Sequence, residues 1–143
     1  MQELRFEIQG KVKAKQSFKI GRNGFKYTPA DVKSYANWVR LCFQKAYPNW
    51  LPSMFQDKQL GMNINVYMQV PASWSKKKKQ EALNNVIRPT VKPDCDNIAK
   101  NINDALNSLA FADDRQIVHL TIDKYYAENE IVYVAIYDLL SKK

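Results

Sequence analysis

The sequence predicts a single domain of the α/β class, and three features of the chain support this prediction. Its 143 residues match the size of one ordinary domain, and its hydrophobic content of 45% is enough for one core. Apolar and polar residues alternate without a break from Leu60 to Val70, which is typical of a strand. Apolar residues recur at helical spacing after Thr28 and again after Asp96, which predicts two amphipathic helices.

The N-terminal part of the chain predicts a strand, a basic arm and a long helix. Apolar residues alternate with polar ones over residues 4–8, which predicts the first strand. Residues 10–27 combine glycines with many positive charges, and we interpret them as an extended arm that contacts DNA. Thr28 and Pro29 are typical of a helix start, and the periodicity predicts that this helix ends near Pro48. The basic residues that we assign to the arm are Lys11, Lys13, Lys15, Lys19, Arg22 and Lys26.

The middle of the chain predicts a loop, a strand and a short helix. Residues 49–59 lack a clear period, and we interpret them as a loop packed by Trp50 and Phe55. The alternating strand comes next. Four consecutive lysines then begin a short helix that runs toward Asn84, and they either contact DNA phosphates or form a solvated helix face. The two lysines of this run that we assign to DNA binding are Lys76 and Lys77.

The C-terminal part of the chain predicts a helix followed by a hairpin. Asp96 lies where the N-cap of this helix is expected. Apolar residues over 98–109 predict a buried face of about three turns, with the helix ending near residues 110–112. The two aspartates that follow open a strand, and a turn at residues 128–129 leads to a second strand that we expect to pair with it.

The net charge of +8 is distributed unevenly along the chain. Residues 1–93 contain 17 Lys and Arg against 5 Asp and Glu, a balance of +12, whereas residues 94–143 contain 5 against 9, a balance of −4. A basic body around an acidic site suits an enzyme that binds a phosphate backbone and places a divalent cation against one phosphodiester. A basic surface that serves only solubility is the alternative interpretation.

The sequence argues against a secreted or membrane-bound protein. The N-terminus lacks the apolar segment of a signal peptide, and no stretch approaches the roughly 20 apolar residues that span a bilayer. The two cysteines, Cys42 and Cys95, lie far apart, so we expect free thiols and neither a disulfide framework nor a cysteine-ligated zinc. We therefore expect a cytoplasmic protein without a membrane partner.

Three aspartates, Asp94, Asp96 and Asp114, frame the acidic segment and predict a metal site. Two carboxylates about 4 Å apart repel each other by about 4 kcal/mol at an effective dielectric of 20, so a close group calls for a cation. Oxygen ligands alone favour Mg²⁺ or Mn²⁺ over zinc. Lys100 lies one helical turn after Asp96 and adds a positive charge to the same face.

Each of these aspartates also has an ordinary structural explanation. An aspartate at a helix N-terminus binds free backbone N–H groups, so Asp94 or Asp96 alone is typical of a cap. Asp113 followed by Asp114 is typical of a surface turn. The D-x-D tripeptide also occurs in sugar-nucleotide transferases and phosphatases, so spacing alone leaves the chemistry open.

Short motifs of charged, amide and small residues extend over most of the chain. They are GKVKAK at 10–15, GFKYTP at 24–29, KPDCDN at 92–97, Lys100, DALN at 104–107 and DDRQI at 113–117. In order, spacing and residue type, this set resembles the RusA family of Holliday junction resolvases, which is found widely on phages and prophages. Cys95 departs from the pattern, which has an aliphatic residue there, and residues 50–88 carry no motif that matches.

The resemblance implies a small mixed β-sheet packed with helices, in one α+β domain over residues 1–143. It implies a homodimer that binds branched DNA and resolves a four-way junction by paired nicks. The implied role is in recombination and repair. The implied cofactor is Mg²⁺, for which Mn²⁺ can substitute. The catalytic region would span residues 92–117. Its catalytic residues would be Asp94, Asp96, Lys100 and Asp114. Its metal ligands would be Asp94, Asp96, Asp114 and the adjacent Asp113.

A non-catalytic protein that binds branched DNA is the main alternative. It explains the positive charge, but it leaves grouped aspartates beside DNA without a purpose, since without a cation they repel phosphate. A metal-dependent transferase or phosphatase explains the aspartates but not the basic arm. Metal-dependent cleavage of DNA separates the first alternative from a nuclease, and activity on free nucleotides separates the second.

Overall fold

The described part of the chain, residues 3–12 and 27–141, forms four strands and three α-helices in the computed structural model. The strands are β1 (Glu3–Gln9), β2 (Leu60–Gln69), β3 (Ile117–Ala127) and β4 (Ile131–Asp138). The helices are α1 (Tyr27–Ala46), α2 (Lys76–Leu83) and α3 (Cys95–Leu106). Short 3₁₀ turns cover Pro52–Phe55 and Asp114–Gln116. The residues of the predicted basic arm that lie outside the described residues are Lys13, Lys15, Lys19, Arg22 and Lys26.

The four strands form one mixed sheet in the order β1-β4-β2-β3. Strand β4 pairs antiparallel with both β1 and β2, whereas β2 and β3 run parallel. A parallel pair needs a long crossover connection, and residues 70–116, which contain α2 and α3, supply it. The mixed sheet packed with helices confirms the predicted α+β architecture.

The predicted pairing of β3 with β4 is wrong. The two strands are joined by a short turn at residues 128–130, but β2 lies between them and pairs with both. Strands that follow each other in sequence are neighbours in most sheets, and that rule favoured a hairpin. Strand β2 is one of the two interior strands, with Met62, Ile64 and Val66 fully buried, and its backbone groups are paired on both edges.

The core places α3 firmly against the sheet. Buried residues of β1, β2 and β4 form one cluster with Val39 and Phe43 of α1 and with Ile98, Ile102 and Leu106 of α3. Fully burying an aliphatic or aromatic side chain stabilises the fold by about 1.5–3 kcal/mol. The position of α3 is therefore set by its apolar face, and this matters because its N-terminus carries the acidic motif.

The helices of the described residues are partly polar. Helix α3 exposes Lys100 on the side opposite its buried residues, and α2 begins with four lysines. Within residues 3–12 and 27–141, none of the helices combines the length and the hydrophobicity that crossing a bilayer requires.

Candidate active site

The helix α3 begins within the acidic motif. Its N-cap is Asp94, whose backbone is extended at φ −71° and ψ 153°, and whose carbonyl accepts a hydrogen bond from the Ile98 N–H at 3.0 Å. The prediction that Asp96 is the N-cap is therefore wrong by two residues, because Asp96 lies in the first helical turn. Ile98 and Ala99, in the next turn, are buried.

The carboxylates of Asp94 and Asp96 are not used to hold the fold. Asp94 makes no capping hydrogen bond through its side chain, and among the described side chains none forms an ion pair with either aspartate. Both residues are exposed, at the helix end where free N–H groups favour negative charge. Cys95 between them is a half-buried free thiol, and Cys42 is also free, as predicted. Asp94 and Asp96 therefore offer oxygen donors to a bound cation.

Lys100 lies on α3 one turn beyond Asp96, as the spacing predicts. Side chains four residues apart on a helix are neighbours, with Cβ atoms about 5–6 Å apart. Lys100 is exposed, so its ammonium is accessible to a phosphate that approaches Asp96.

Asp113 and Asp114 lie on the 3₁₀ turn that precedes β3, and Asp113 is the N-cap of this turn. The Asp113 carboxylate accepts a hydrogen bond from the Arg115 backbone N–H at 2.9 Å, and it lies 3.3 Å from Arg115 Nε. That hydrogen bond is the main cause that holds the pKa of Asp113 below its ordinary value, and the Arg115 charge adds to it. Asp113 thus stabilises its own turn, whereas Asp114 forms no ion pair with a described side chain.

Asn107 and Gln116 hold this turn in place. The Asp114 backbone N–H donates to Asn107 Oδ1 at 3.1 Å, which ties the turn to the C-terminal end of α3. Gln116 Nε2 donates to the Phe55 carbonyl at 2.8 Å and to the Lys58 carbonyl at 3.2 Å. Amide side chains both donate and accept hydrogen bonds, which explains why Asn and Gln occupy these two motif positions.

Asp94 and Asp114 lie at opposite ends of α3 within one chain. Asp94 caps the N-terminus and Asp114 is tied to Asn107 at the C-terminus, and the 12-residue helix between them is about 18 Å long. Strand β3 leads to the same conclusion, because it starts beside Asp114. Its residue Lys124 lies about 23 Å further along the strand, where its ammonium donates to the Pro93 carbonyl at 2.9 Å.

This separation decides which carboxylates one chain brings together. The oxygen ligands of one Mg²⁺ lie about 2.0–2.1 Å from the ion, so any two of them are within about 4 Å of each other. Within one chain, Asp94 and Asp96 lie two residues apart at one end of α3, and Asp114 lies at the other end. In agreement, residues 3–12 and 27–141 contain no group of three or more His, Cys, Asp or Glu side chains that could hold a metal ion.

Two basic residues that no sequence motif indicated, Arg88 and Lys124, fasten the loop before Asp94. Lys124 contacts the loop carbonyls, and Arg88 contacts the β3 segment around Lys124. The sequence could have indicated Lys124, because it lies on the same face of β3 as the apolar Ile122 and Tyr126. A charge at such a position requires a polar partner, and the loop carbonyls provide it.

The described basic residues of the predicted DNA-binding set are exposed. They are Lys11, Lys76 and Lys77. The start of α2 is packed onto β3 through Trp74, whose ring lies 5.1 Å from that of Tyr126. Tyr126 is close in sequence to Lys124, which contacts the loop before Asp94. The lysines of α2 therefore lie at the same end of β3 as the acidic motif.

Comparison with known proteins places this chain in a protein family. The family model for endodeoxyribonuclease RusA matches residues 8–137, a range that includes both acidic segments and Lys100. A protein of Bacillus subtilis strain 168, called Uncharacterized protein YqaN, is 38% identical over 110 residues, which cover 76% of this chain and 75% of that protein. The match covers three of the four strands almost completely, the end of β1 and all three helices, and the chain therefore belongs to the RusA family of endodeoxyribonucleases.

Proposed function

We propose that this protein is a Holliday junction resolvase, a divalent-metal-dependent endodeoxyribonuclease that selects four-way DNA junctions. As a homodimer, it would nick two strands of the junction symmetrically, in recombination and repair of phage or prophage DNA. The observation that carries the proposal is the match to the endodeoxyribonuclease family over residues 8–137. The free carboxylates of Asp94 and Asp96 within that range support it.

The cofactor that we propose is Mg²⁺, for which Mn²⁺ is expected to substitute. Asp94 and Asp96 offer only oxygen donors, which suit a hard cation. Mg²⁺ usually keeps several waters and takes one or two carboxylates together with substrate phosphates, so this pair fits it. When bound, the cation would lower the pKa of an attacking water and neutralise charge on the phosphate oxygens.

Lys100 is the residue that we propose to stabilise the reacting phosphate. Its ammonium carries three N–H donors, and it lies one turn from Asp96 on an exposed face. Negative charge increases on the phosphate oxygens as water attacks. A cation placed against those oxygens lowers the barrier because it interacts more strongly with the transition state than with the substrate.

We propose that Asp114 completes the active site of the other subunit. Within one chain, about 18 Å of helix separates it from Asp94, although both acidic segments fall within the region that matches the family. When an element pairs with its copy across a two-fold axis perpendicular to it, the two copies run antiparallel, and each end lies beside the opposite end of the copy. Asp94 and Asp96 would then face Asp114 of the partner subunit.

Strand β3 is the surface that we propose for this pairing. It is an edge of the sheet formed by the described strands, and its Val118 and Leu120 are 59% and 43% exposed. Exposed apolar residues on an open edge favour association with another chain. Because β3 starts beside Asp114 and its far end contacts the loop before Asp94, a second copy running in the opposite direction brings these two ends together.

A cleavage assay on branched DNA tests the proposed function. A labelled four-way junction and a linear duplex of matched sequence are incubated with the protein, in Mg²⁺ or in chelator. Paired symmetric nicks in the junction, lost in chelator and absent from the duplex, are the expected result. Tight junction binding without metal-dependent cleavage would favour a non-catalytic branched-DNA-binding protein. Equal cleavage of both DNAs would contradict selectivity for the junction.

Junction binding is expected to weaken steeply with salt. Lys76 and Lys77 are exposed near the acidic motif, and further lysines occupy residues 10–27. A protein that makes six to ten phosphate contacts loses about 10³- to 10⁵-fold in affinity between 50 and 200 mM salt, because bound counterions are released. A titration of Kd against salt concentration in chelator measures the slope, and a flat slope would contradict the assignment of these lysines.

A further inference from the structure

Lys124 fastens the end of the loop that leads into α3. Its ammonium donates to the Val91 carbonyl at 2.6 Å and to the Pro93 carbonyl at 2.9 Å. The Pro93 carbonyl belongs to the peptide unit that contains the nitrogen of Asp94, so the second bond holds the backbone of Asp94 directly. Hydrogen bonds from a charged donor are roughly twice as strong as those between neutral groups.

Arg88 fastens the other end of the same loop. Its Nη2 donates to Asp123 Oδ1 at 2.9 Å, and its Nε donates to the Lys124 carbonyl at 2.9 Å. Its guanidinium also lies 4.4 Å from the centre of the Tyr125 ring, within the range of a cation–π interaction. Both anchors therefore use one short stretch of β3, and the loop between them is held at its two ends.

Apart from these anchors and the packing of the buried Pro89, few contacts hold this loop. Residues 88–93 belong to no helix or strand, and within the described chain none of them takes part in a backbone–backbone hydrogen bond. Thr90, Val91 and Lys92 are exposed. Lys124 donates to carbonyls and forms no ion pair with Asp94 or Asp96 among the described contacts. It thus fixes the backbone beside the carboxylates and leaves the carboxylates themselves free for a ligand.

We infer that Lys124 is a positioning residue for the nuclease reaction, which sets where Asp94 and Asp96 stand relative to the bound cation and the scissile phosphate. The inference rests on the proposed function. Groups that orient metal ligands typically contribute 10- to 100-fold to metal affinity or activity, and a displacement of about 1 Å at a reacting centre costs about 100-fold in rate. Lys124 acts through the loop backbone and does not touch the substrate.

The test replaces Lys124 by Met, which keeps most of the length of the side chain and removes its donors. Single-turnover cleavage of a four-way junction is expected to fall about 10- to 100-fold, while the junction Kd in chelator stays at the wild-type value. Amide hydrogen exchange in a peptide covering residues 94–101, where the Ile98 N–H donates to the Asp94 carbonyl, is expected to accelerate, with no change in peptides from β1. Lys124→Arg retains the donors and is expected to restore most of the cleavage. Lys45→Met, at an exposed position near the end of α1, is the matched control.

Three results would overturn the inference. They are wild-type cleavage by Lys124→Met, unchanged amide exchange in residues 94–101, and a loss of junction affinity as large as the loss of cleavage. The last would make Lys124 a phosphate contact. If Lys124→Met does not fold, Arg88→Met, which frees the other end of the loop, is measured with the same expectations. A wild-type protein that does not cut the junction would instead overturn the proposed function.

Discussion

Asp96→Asn is expected to abolish metal-dependent cleavage of a four-way junction while junction binding stays near the wild-type level. The amide keeps the size of the carboxylate but loses its charge and one oxygen donor, so the site loses a ligand for a hard cation. We expect a loss of at least about 100-fold, since groups that only orient metal ligands already contribute 10- to 100-fold. The fold should be unaffected, because Asp96 is exposed and has no ion-pair partner among the described side chains.

Single-turnover nicking of a labelled junction in Mg²⁺ measures the first effect, and a gel shift in chelator measures binding. Glu128→Gln is the matched control, because it makes the same chemical change at an exposed position in the turn between β3 and β4. Retained cleavage by Asp96→Asn would remove Asp96 from the mechanism. A parallel loss of binding would show that Asp96 acts on junction recognition rather than on the chemical step.

A heterodimer of an Asp96→Asn subunit and an Asp114→Asn subunit is expected to recover cleavage that both mutant homodimers lack. In the proposed dimer, each site combines Asp94 and Asp96 of one subunit with Asp114 of the partner subunit. One of the two sites in the heterodimer then carries both substitutions, and the other carries neither. If each chain formed its own site, every site would carry one substitution and cleavage would stay lost.

Two affinity tags allow the heterodimer to be purified, and a supercoiled plasmid with an extruded cruciform distinguishes the products. One intact site converts the plasmid to a nicked circle, whereas the wild-type dimer, with two intact sites, linearises it. A heterodimer of Asp94→Asn and Asp96→Asn subunits is the control, since both of its sites are damaged in either arrangement. An inactive Asp96→Asn and Asp114→Asn heterodimer would contradict a site shared between subunits.

Local periodicity was enough to predict most elements of this fold. The alternation over residues 4–8 corresponds to β1, that over residues 60–70 corresponds to β2, and the helical spacing after Asp96 corresponds to α3. These patterns predict helices and strands well, because the order of residues along an element decides which side chains share one of its faces. The same local information placed Asp94, Asp96 and Lys100 near one another, since all three lie within the first turns of one helix.

The main error arose where a distant segment decides the outcome. The short turn at residues 128–130 is compatible with a hairpin, but β2 lies between β3 and β4 and pairs with both strands. The N-cap lies at Asp94, two residues before the predicted Asp96, although an aspartate suits either position. The sheet order is a tertiary effect that overrides local preference.

The sequence by itself therefore determined the class of fold, the acidic motif at the start of α3 and the family to which the chain belongs, because each depends on residues close together in the chain. The tertiary structure alone decided that Lys124 contacts the loop before Asp94 and that Asp114 lies at the far end of α3. Those placements depend on which strands pair and on the length of a rigid helix. They relate residues that are distant in sequence, and no local pattern encodes that relation.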